Sequence, residues 1–171
     1  MLRIELLERE DCNKIVSWNR GKDAAFLEQW SGRGYEYPIT AEKIMDRLET
    51  TANKEDAKVF IYKILDENSG RMIGTIELFE IDTINGTAKV GRYLIDEAYR
   101  GKGYGGKALK QIVDMCFNEY GIKKLFLNVF DYNTGAFECY KKVGFSVVSH
   151  ELREKPDGYL GVYKMMIEKS E

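Results

Sequence analysis

A glycine-rich stretch, RGKGYGGKA at residues 100–108, constrains the fold more than any other feature of this sequence. Four glycines within six residues cost backbone entropy, so they are expected where the chain turns tightly or approaches a ligand closely. The residues before it, YLI at 93–95, are typical of a strand, and the residues after it have the period of a helix. The stretch therefore predicts a strand, a loop and a helix in succession.

The segments on either side of the loop predict the fold class. KVFIYKIL, RMIGTIELFEI and TAKVGRYLI read as strands, and Asn85-Gly86 joins the last two by the strongest short hairpin signal. After the loop helix come the strand KLFLNVF, a helix from Asn133 to Lys142 that Gly144 ends, and two strands joined by KPDGY. We expect an α/β (α+β) fold with a mixed, mostly antiparallel central sheet and flanking helices.

The first third of the chain is less regular. It predicts a strand near Arg3–Leu6, a helix from Asp11 to Trp18 and a second helix that Thr40 caps. Residues 20–38, RGKDAAFLEQWSGRGYEYP, read as a loop or broken helix that is able to shape a substrate opening.

Composition excludes several classes of protein. A length of 171 residues predicts one domain over residues 1–171, and a net charge of −2 does not suit a nucleic-acid binder. With only one histidine, His150, a two-histidine metal site is excluded. No apolar run is long enough to span a membrane, and three scattered cysteines suit reduced thiols, so we expect a cytoplasmic protein.

The glycine stretch fits three phosphate-binding patterns. Gly101, Gly103 and Gly106 spell GxGxxG, but a dinucleotide fold needs that pattern directly after the first strand of a parallel sheet, and here a hairpin precedes it. Gly101, Gly106 and Lys107 spell most of a P-loop, but Ala108 stands where a Ser or Thr must bind magnesium.

The third pattern, RxxGxG, uses Arg100, Gly103 and Gly105. A loop that leads into a helix start presents unpaired amides and the positive end of the helix dipole, which favour an anion such as a pyrophosphate. Arg100, Lys102 and Lys107 add positive charge, although exposed lysines are more often solvated surface. A purely structural turn is the remaining alternative.

Two segments carry a resemblance to a known family. YLIDEAYRGKGYGGKAL resembles the acetyl-CoA-binding segment of the GNAT N-acetyltransferase superfamily, Q/R-x-x-G-x-G/A. NTGAFECYKKVGF is similar to the family's N-x-x-A-x-x-x-Y-x-x-x-G-F. The resemblance covers about residues 58–167 and is greatest to the spermidine/spermine and ribosomal-protein alanine acetyltransferases. It implies a GNAT-like sheet in which two neighbouring strands splay apart.

The resemblance also implies a site for acetyl-CoA as co-substrate, with no metal required. The pantetheine arm would bond to the backbone of the strand that ends in YLI, opposite LFLNV. Asn133 fits a cofactor contact and a helix N-cap equally well. The expected cofactor-binding residues are Tyr93, Leu94, Ile95, Arg100, Gly101, Lys102, Gly103, Tyr104, Gly105, Gly106 and Asn133.

Two residues are candidates for catalysis. The resemblance places Tyr140 beside the cofactor sulfur, where a phenol can protonate the departing thiolate; without it, an aromatic core residue is the plainer interpretation. A carboxylate, or water held by one, would deprotonate the acceptor amine. Glu77, Glu80 and Asp82 are available, and we select Glu77 because related polyamine enzymes carry a similar VEL segment; an exposed strand carboxylate is an equal alternative.

The function expected from the resemblance is transfer of acetyl from acetyl-CoA to a primary amine by direct attack in a ternary complex. Cys139 neighbours Tyr140 on the helix but points about 100 degrees away, and direct transfer needs no covalent intermediate. The acceptor would be a small-molecule polyamine or a peptide N-terminus, with no nucleic-acid or membrane partner and a possible homodimer. A non-catalytic acyl-CoA sensor or interaction domain is the alternative.

Overall fold

A computed structural model describes all 171 residues of the chain. It contains seven strands, five α-helices and two short 3-10 turns, Arg9–Asp11 and Glu97–Tyr99. The strands are β1 Leu2–Leu6, β2 Phe60–Asp66, β3 Arg71–Asp82, β4 Thr87–Ile95, β5 Lys124–Phe130, β6 Ser146–Lys155 and β7 Gly158–Glu168. The helices are α1 Cys12–Trp18, α2 Ala24–Ser31, α3 Ala41–Thr50, α4 Tyr104–Asn118 and α5 Thr134–Val143.

All seven strands form one sheet in the order β1-β2-β3-β4-β5-β7-β6. Every neighbouring pair is antiparallel except β4 and β5, which run parallel because α4 connects them as a crossover. The predicted fold class is confirmed, and so is the hairpin at Asn85-Gly86, which joins β3 to β4.

The sheet separates two apolar cores. Alternate residues of β2 point to opposite sides, so Tyr62 and Ile64 join one core while Ile61 and Leu65 join the other. The larger core packs against α4, whose residues 108–116 supply the apolar face expected from the sequence. The smaller core packs against α1, α2 and α3. The sheet thus has helices on both faces, and each face can supply one wall of a cleft at its centre.

Residues 20–38 form a more regular structure than the predicted loop or broken helix. They contain α2, which Asp23 caps by accepting a hydrogen bond from the Phe26 amide at 2.9 Å. The helix ends at Gly32, where φ is 57°, a left-handed value that favours glycine. The expected Thr40 cap on α3 is present, with the hydroxyl accepting from the Lys43 amide at 3.3 Å.

β4 and β5 diverge along their length. They pair only from Thr87 to Lys89, opposite Lys124 to Phe126, so the remainder of β4 makes no ladder with β5. A bulge in β4 lies where the strands part, because Thr75 pairs with Leu94 but Glu77 pairs with Gly91. The resulting gap is the splayed pair that the resemblance implied. Of the helices, none combines the length and apolar character that crossing a lipid bilayer requires.

Candidate active site

A cavity of about 890 Å³ opens between the diverging strands. Its walls come from β4, the glycine loop, β5, α5 and the end of α2. Among the expected site residues, it is lined by Tyr93, Leu94, Ile95, Arg100, Gly101, Gly103, Gly105, Gly106, Asn133 and Tyr140. The structure therefore brings ten of the predicted residues, which span 48 positions of sequence, to one surface.

The glycine loop forms one end of this cavity. Gly101 and Gly103 have φ values of 72° and 84°, so the loop follows a path that other residues adopt only at a cost. The Lys107 amide donates to the Gly103 carbonyl at 3.2 Å, which leaves the amides at residues 104–106 at the open end of α4. Unpaired amides at a helix start are suited to an anion.

The charged and aromatic residues of the loop divide into two groups. Arg100 lines the cavity, and its Nε donates to the Ile95 carbonyl at 2.8 Å. Lys102 and Tyr104 face away from the cavity: the Lys102 Nζ donates to the Ala98 carbonyl at 3.0 Å, and the Tyr104 ring packs edge-on against Tyr99. A cofactor contact by either side chain would need that side chain to move, whereas the Tyr104 amide is available at the open end of α4.

Two tyrosines stand in the middle of the cavity wall. The Tyr93 hydroxyl donates to the Gly105 carbonyl at 2.5 Å, which ties β4 to the first turn of α4. Burial raises the pKa of Tyr140 above its ordinary value, with a further contribution from the neighbouring Cys139 thiol. A raised pKa keeps the phenol protonated at neutral pH, as a proton donor must be.

Cys139 also reaches the cavity, although its position on α5 suggested that it would point elsewhere. Burial raises the pKa of its thiol, so the reactive thiolate is disfavoured. The Asn133 Oδ1 accepts from the Ala136 amide at 3.3 Å, so this residue is the N-cap of α5 and lines the cavity as well. The N-cap is therefore observed, and the cofactor contact of Asn133 stays a prediction that this conformation allows.

Glu77 does not stand where a free base would. Its side chain is 2% exposed, it is absent from the cavity lining, and its Oε1 accepts hydrogen bonds from Arg47 and from Arg92, the latter at 2.7 Å. A base must reach the proton that it removes, and the Glu77 carboxylate is covered by protein and already accepts hydrogen bonds from two guanidinium groups. The geometry does not fit the predicted role. β3 does not alternate regularly between Glu77 and Glu80, because Glu80 has φ 47° at an irregularity in the pairing with β4.

Several lining residues gave no signal in the sequence. The end of α2 and the turn after it supply a continuous run, Glu28 to Arg33, to the cavity wall. Arg92 on β4 and Arg153 on β6 line it too. The only hint was the position of residues 20–38 in a segment rich in glycine and aromatics, which predicted a substrate opening. No group of three or more histidine, cysteine or acidic side chains that could bind a metal ion is present.

This arrangement agrees with a family model. The model of the acetyltransferase (GNAT) family matches residues 15–145, which is most of the chain. The chain belongs to the GNAT acetyltransferase family. It is therefore an acetyl-CoA-dependent N-acetyltransferase.

Relatives of this GNAT acetyltransferase are named as polyamine enzymes. The spermidine N(1)-acetyltransferase of Escherichia coli (strain K12) is 27% identical over 153 residues, which cover 90% of this chain and 77% of that protein. The spermine/spermidine N(1)-acetyltransferase of Bacillus subtilis (strain 168) is 35% identical over 74 residues, 43% of this chain. That match spans about half (49%) of the B. subtilis enzyme. The polyamine branch of the predicted resemblance is confirmed.

A solved structure shows the same fold. The spermidine N-acetyltransferase from Vibrio cholerae, crystallised with CoA and spermine, superimposes with a TM-score of 0.83 at 22% identity. The match covers 98% of this chain and 95% of that chain. At this identity the likeness concerns the fold, and it extends to the N-terminal helices that the sequence motifs do not reach.

Proposed function

We propose that this GNAT acetyltransferase transfers acetyl from acetyl-CoA to a primary amine by direct attack within the cleft between β4 and β5. One observation carries the proposal: the glycine loop, the unpaired edge of β4 and the Tyr140 side chain line one continuous cavity. We propose the ten cavity-lining residues among those predicted for the cofactor and catalysis as the working site.

The loop would hold the pyrophosphate of CoA. Amides at the start of α4 offer hydrogen bonds, and Arg100 supplies a positive charge at the same end of the cavity. The pantetheine arm would then extend along residues 93–95, where the backbone of β4 has no partner strand and can bond to the arm's amides. This places the thioester near the bulge in β4.

The chemical step needs two further groups. The neutral amine attacks the thioester carbonyl, and a backbone N–H of β4 near the bulge stabilises the oxyanion that forms. The C–S bond then breaks, and Tyr140 donates its phenolic proton to the departing thiolate of CoA. Acetyl ends on nitrogen, which releases its extra proton to solvent to give the neutral amide, and the tyrosine is reprotonated from water. Cys139 takes no part, so Cys139→Ala should retain turnover within about twofold.

Deprotonation of the acceptor does not require Glu77. We propose that Glu77 is a positioning residue, because its buried carboxylate orients the Arg92 guanidinium at the cavity wall. The acceptor ammonium would lose its proton to water in the open cavity, assisted by nearby positive charges that favour the neutral amine.

The relatives and the fold support proposals for the acceptor class, the domain organisation, the cellular location and the oligomeric state. Polyamines are the acceptors named for the relatives and are the first to test, with peptide N-termini second. We propose that residues 1–171 act as one catalytic domain, because β1 and β7 belong to the same sheet. Three free cysteines favour a reducing cytoplasm. A homodimer stays a prediction; a solved Vibrio cholerae neighbour is described as dodecameric.

The deciding experiment measures release of CoA thiol with acetyl-CoA across polyamines, aminoglycosides, amino acids and N-terminal peptides, with mass spectrometry of the product. We expect an acetylated amine formed in equal amount to free CoA. Tight binding of acetyl-CoA without thiol release with any amine would instead indicate a sensor of acyl-CoA.

A further inference from the structure

Positive charge gathers in the cavity of this acidic protein. The chain carries a net charge of −2, yet six basic and two acidic side chains line the cleft. The basic residues are Arg33, Lys89, Arg92, Arg100, Lys142 and Arg153, and the acidic ones are Glu28 and Glu138. A surplus of one sign within a cleft raises the local concentration of ligands of the opposite sign.

The arginine nearest the reacting centre is built into the fold. Arg92 lies on the bulge of β4 with φ 44°, an uncommon value for a residue with a side chain. Its guanidinium stacks on the Phe79 ring with its Cζ 4.6 Å from the centroid, and it shares the Glu77 carboxylate with Arg47. Gly34 is required beside it, because a Cβ there would overlap the Arg92 side chain.

Acidic side chains neutralise only part of the positive charge around Arg92. One carboxylate, Glu77, faces two guanidinium groups, and the buried Nε atoms of Arg47 and Arg92 have no hydrogen-bond partner. Arg33 and Arg153 are exposed on the cavity wall and form no ion pair.

Two other charged residues of the cavity lining, Glu28 and Lys89, already form ion pairs. Glu28 pairs with Lys155, and Lys89 pairs with Glu80 at 2.8 Å. Arg33, Arg153 and one of the two arginines on Glu77 therefore remain as uncompensated positive charges.

CoA does not account for these charges. Its anionic groups are phosphates, which the proposed site places at the glycine loop, and its pantetheine arm is uncharged. Arg92 lies eight residues before Arg100 on the chain, on the thioester side of residues 93–95. Arg33 follows α2 and Arg153 lies on β6, so neither belongs to the loop proposed to bind phosphate. The ligand that meets these arginines is therefore the acceptor.

We infer that the acceptor carries a carboxylate in addition to its amine, and that Arg33, Arg92 and Arg153 bind that carboxylate. The inference rests on the proposed function and names its substrate class. A polyamine, which carries only positive charge, would be repelled by the same residues. The arginines also favour loss of a proton from the bound ammonium, so they assist both recognition and attack. The carboxylate can belong to a free amino acid or to an acidic peptide.

Matched acceptors test the inference directly. Lysine and cadaverine differ only by a carboxylate, as do ornithine and putrescine, and an N-terminal Ser-Asp-Glu peptide can be compared with Ser-Asn-Gln. We expect kcat/KM to be at least about tenfold higher for the carboxylate member of a pair, since a charge-assisted contact is worth about that factor. The amino-acid pairs and the peptide pair distinguish the two sources of the carboxylate.

Variants then assign the preference to the arginines. Arg33→Gln and Arg153→Gln alter exposed residues, so both should fold. Each should raise KM for the carboxylate member severalfold and so lower the ratio of kcat/KM between the two members of a pair. Arg71→Gln, on an exposed arginine at the start of β3 outside the cavity, should change neither.

Three results would overturn the inference. Preference for cadaverine and putrescine would do so while leaving amine acetylation intact. An undiminished carboxylate preference in the Arg33→Gln/Arg153→Gln double variant would remove Arg33 and Arg153 from the assignment. Absence of thiol release with every amine would overturn both this inference and the proposed function.

Discussion

At one end of the cleft the chain presents backbone amides from a glycine loop, whereas outside that loop, in the part that we call the arginine end, it presents the side chains of Arg33, Arg92 and Arg153. The loop needs only glycines at positive φ and a helix start, all within residues 101–106. The arginine end needs a buried carboxylate from β3, an arginine from α3 and a bulge in β4.

The two ends should differ in how readily they change between members of the family. A backbone site for a fixed co-substrate depends on conformation and tolerates changes in most side chains, while a side-chain site for the acceptor changes with each substitution. We therefore expect the loop end to vary less among members of the family than the arginine end, which carries the proposed acceptor contacts.

The largest expected effect lies between the two ends, at Tyr140. Tyr140→Phe should lower kcat by about 1000-fold, because loss of a general acid typically costs between 10² and 10⁴. CoA affinity, measured by calorimetry, should change less than about twofold, since the ring remains. Tyr159→Phe, on an exposed tyrosine outside the cavity, is the matched control and should have no effect. Unchanged turnover in Tyr140→Phe would remove the tyrosine from the mechanism.

The pH dependence of kcat sharpens the same assignment. Burial raises the pKa of Tyr140, so its protonated, donating form persists above the ordinary tyrosine pKa of about 10. The wild-type enzyme should therefore keep a plateau in kcat up to at least about pH 10 before any loss attributable to Tyr140. A fall in kcat with an apparent pKa well below 10, absent from Tyr140→Phe, would contradict this expectation.

The loop end could be predicted from the sequence because its determinants are local. The glycine spacing, the strand before it and the helix after it all lie within about 25 residues, and each pattern reports on backbone conformation near itself. The motif around Asn133 and Tyr140 is local in the same way. Lys102 and Tyr104 show the limit of such patterns, because a motif gives position along the chain and not the direction of a side chain.

The arginine end could not be predicted, because its partners are distant in sequence. Glu77 meets Arg47 and Arg92, which are 30 and 15 positions away, and nothing in the IEL segment at residues 76–78 indicates either contact. Arg92 looks like any exposed strand arginine until the bulge sets its φ. α2 was recognised only as a loop or broken helix, since its eight residues end at a glycine and carry a short apolar face.

The buried carboxylate of Glu77 supports Arg92 at the arginine end, and removing its charge tests that support. Glu77→Gln removes the carboxylate that Arg47 and Arg92 share, so the free energy of unfolding should fall by about 3 kcal/mol in urea denaturation. Glu80 lies on the same strand as Glu77 and forms an exposed ion pair with Lys89 of β4. Glu80→Gln breaks that pair and should lower the free energy of unfolding by less than about 1 kcal/mol.

Kinetics of the same variant separate the two roles considered for Glu77. A positioning role predicts a higher KM for the acceptor together with an unchanged acidic limb of the pH profile of kcat/KM. Loss of that limb, with a fall in kcat of about 1000-fold and normal stability, would restore Glu77 as the base.

Gly103 provides a test of whether CoA binding depends on the backbone conformation of the glycine loop. Gly103→Ala places a side chain at φ 84°, where an L-residue costs about 1–2 kcal/mol. If the free loop relaxes from that conformation, CoA binding must restore it, so affinity should fall about tenfold. Gly70→Ala at φ 67° introduces the same strain in a turn outside the cavity and should leave CoA affinity unchanged. Equal affinities in the two variants would show that the loop backbone does not set binding.

The smallest expected effect concerns Asn133, which caps α5 and lines the cavity. Two variants separate its role as a helix cap from its predicted contact with the cofactor. Asn133→Ala removes the cap of α5 and should lower the free energy of unfolding by about 1 kcal/mol. Asn133→Ser keeps a capping oxygen but loses the amide, so its stability should stay near that of the wild type. CoA affinity reduced in both variants would mean that the amide contacts the cofactor; affinity reduced only in Asn133→Ala would mean that the residue acts by fixing α5, and through it Tyr140.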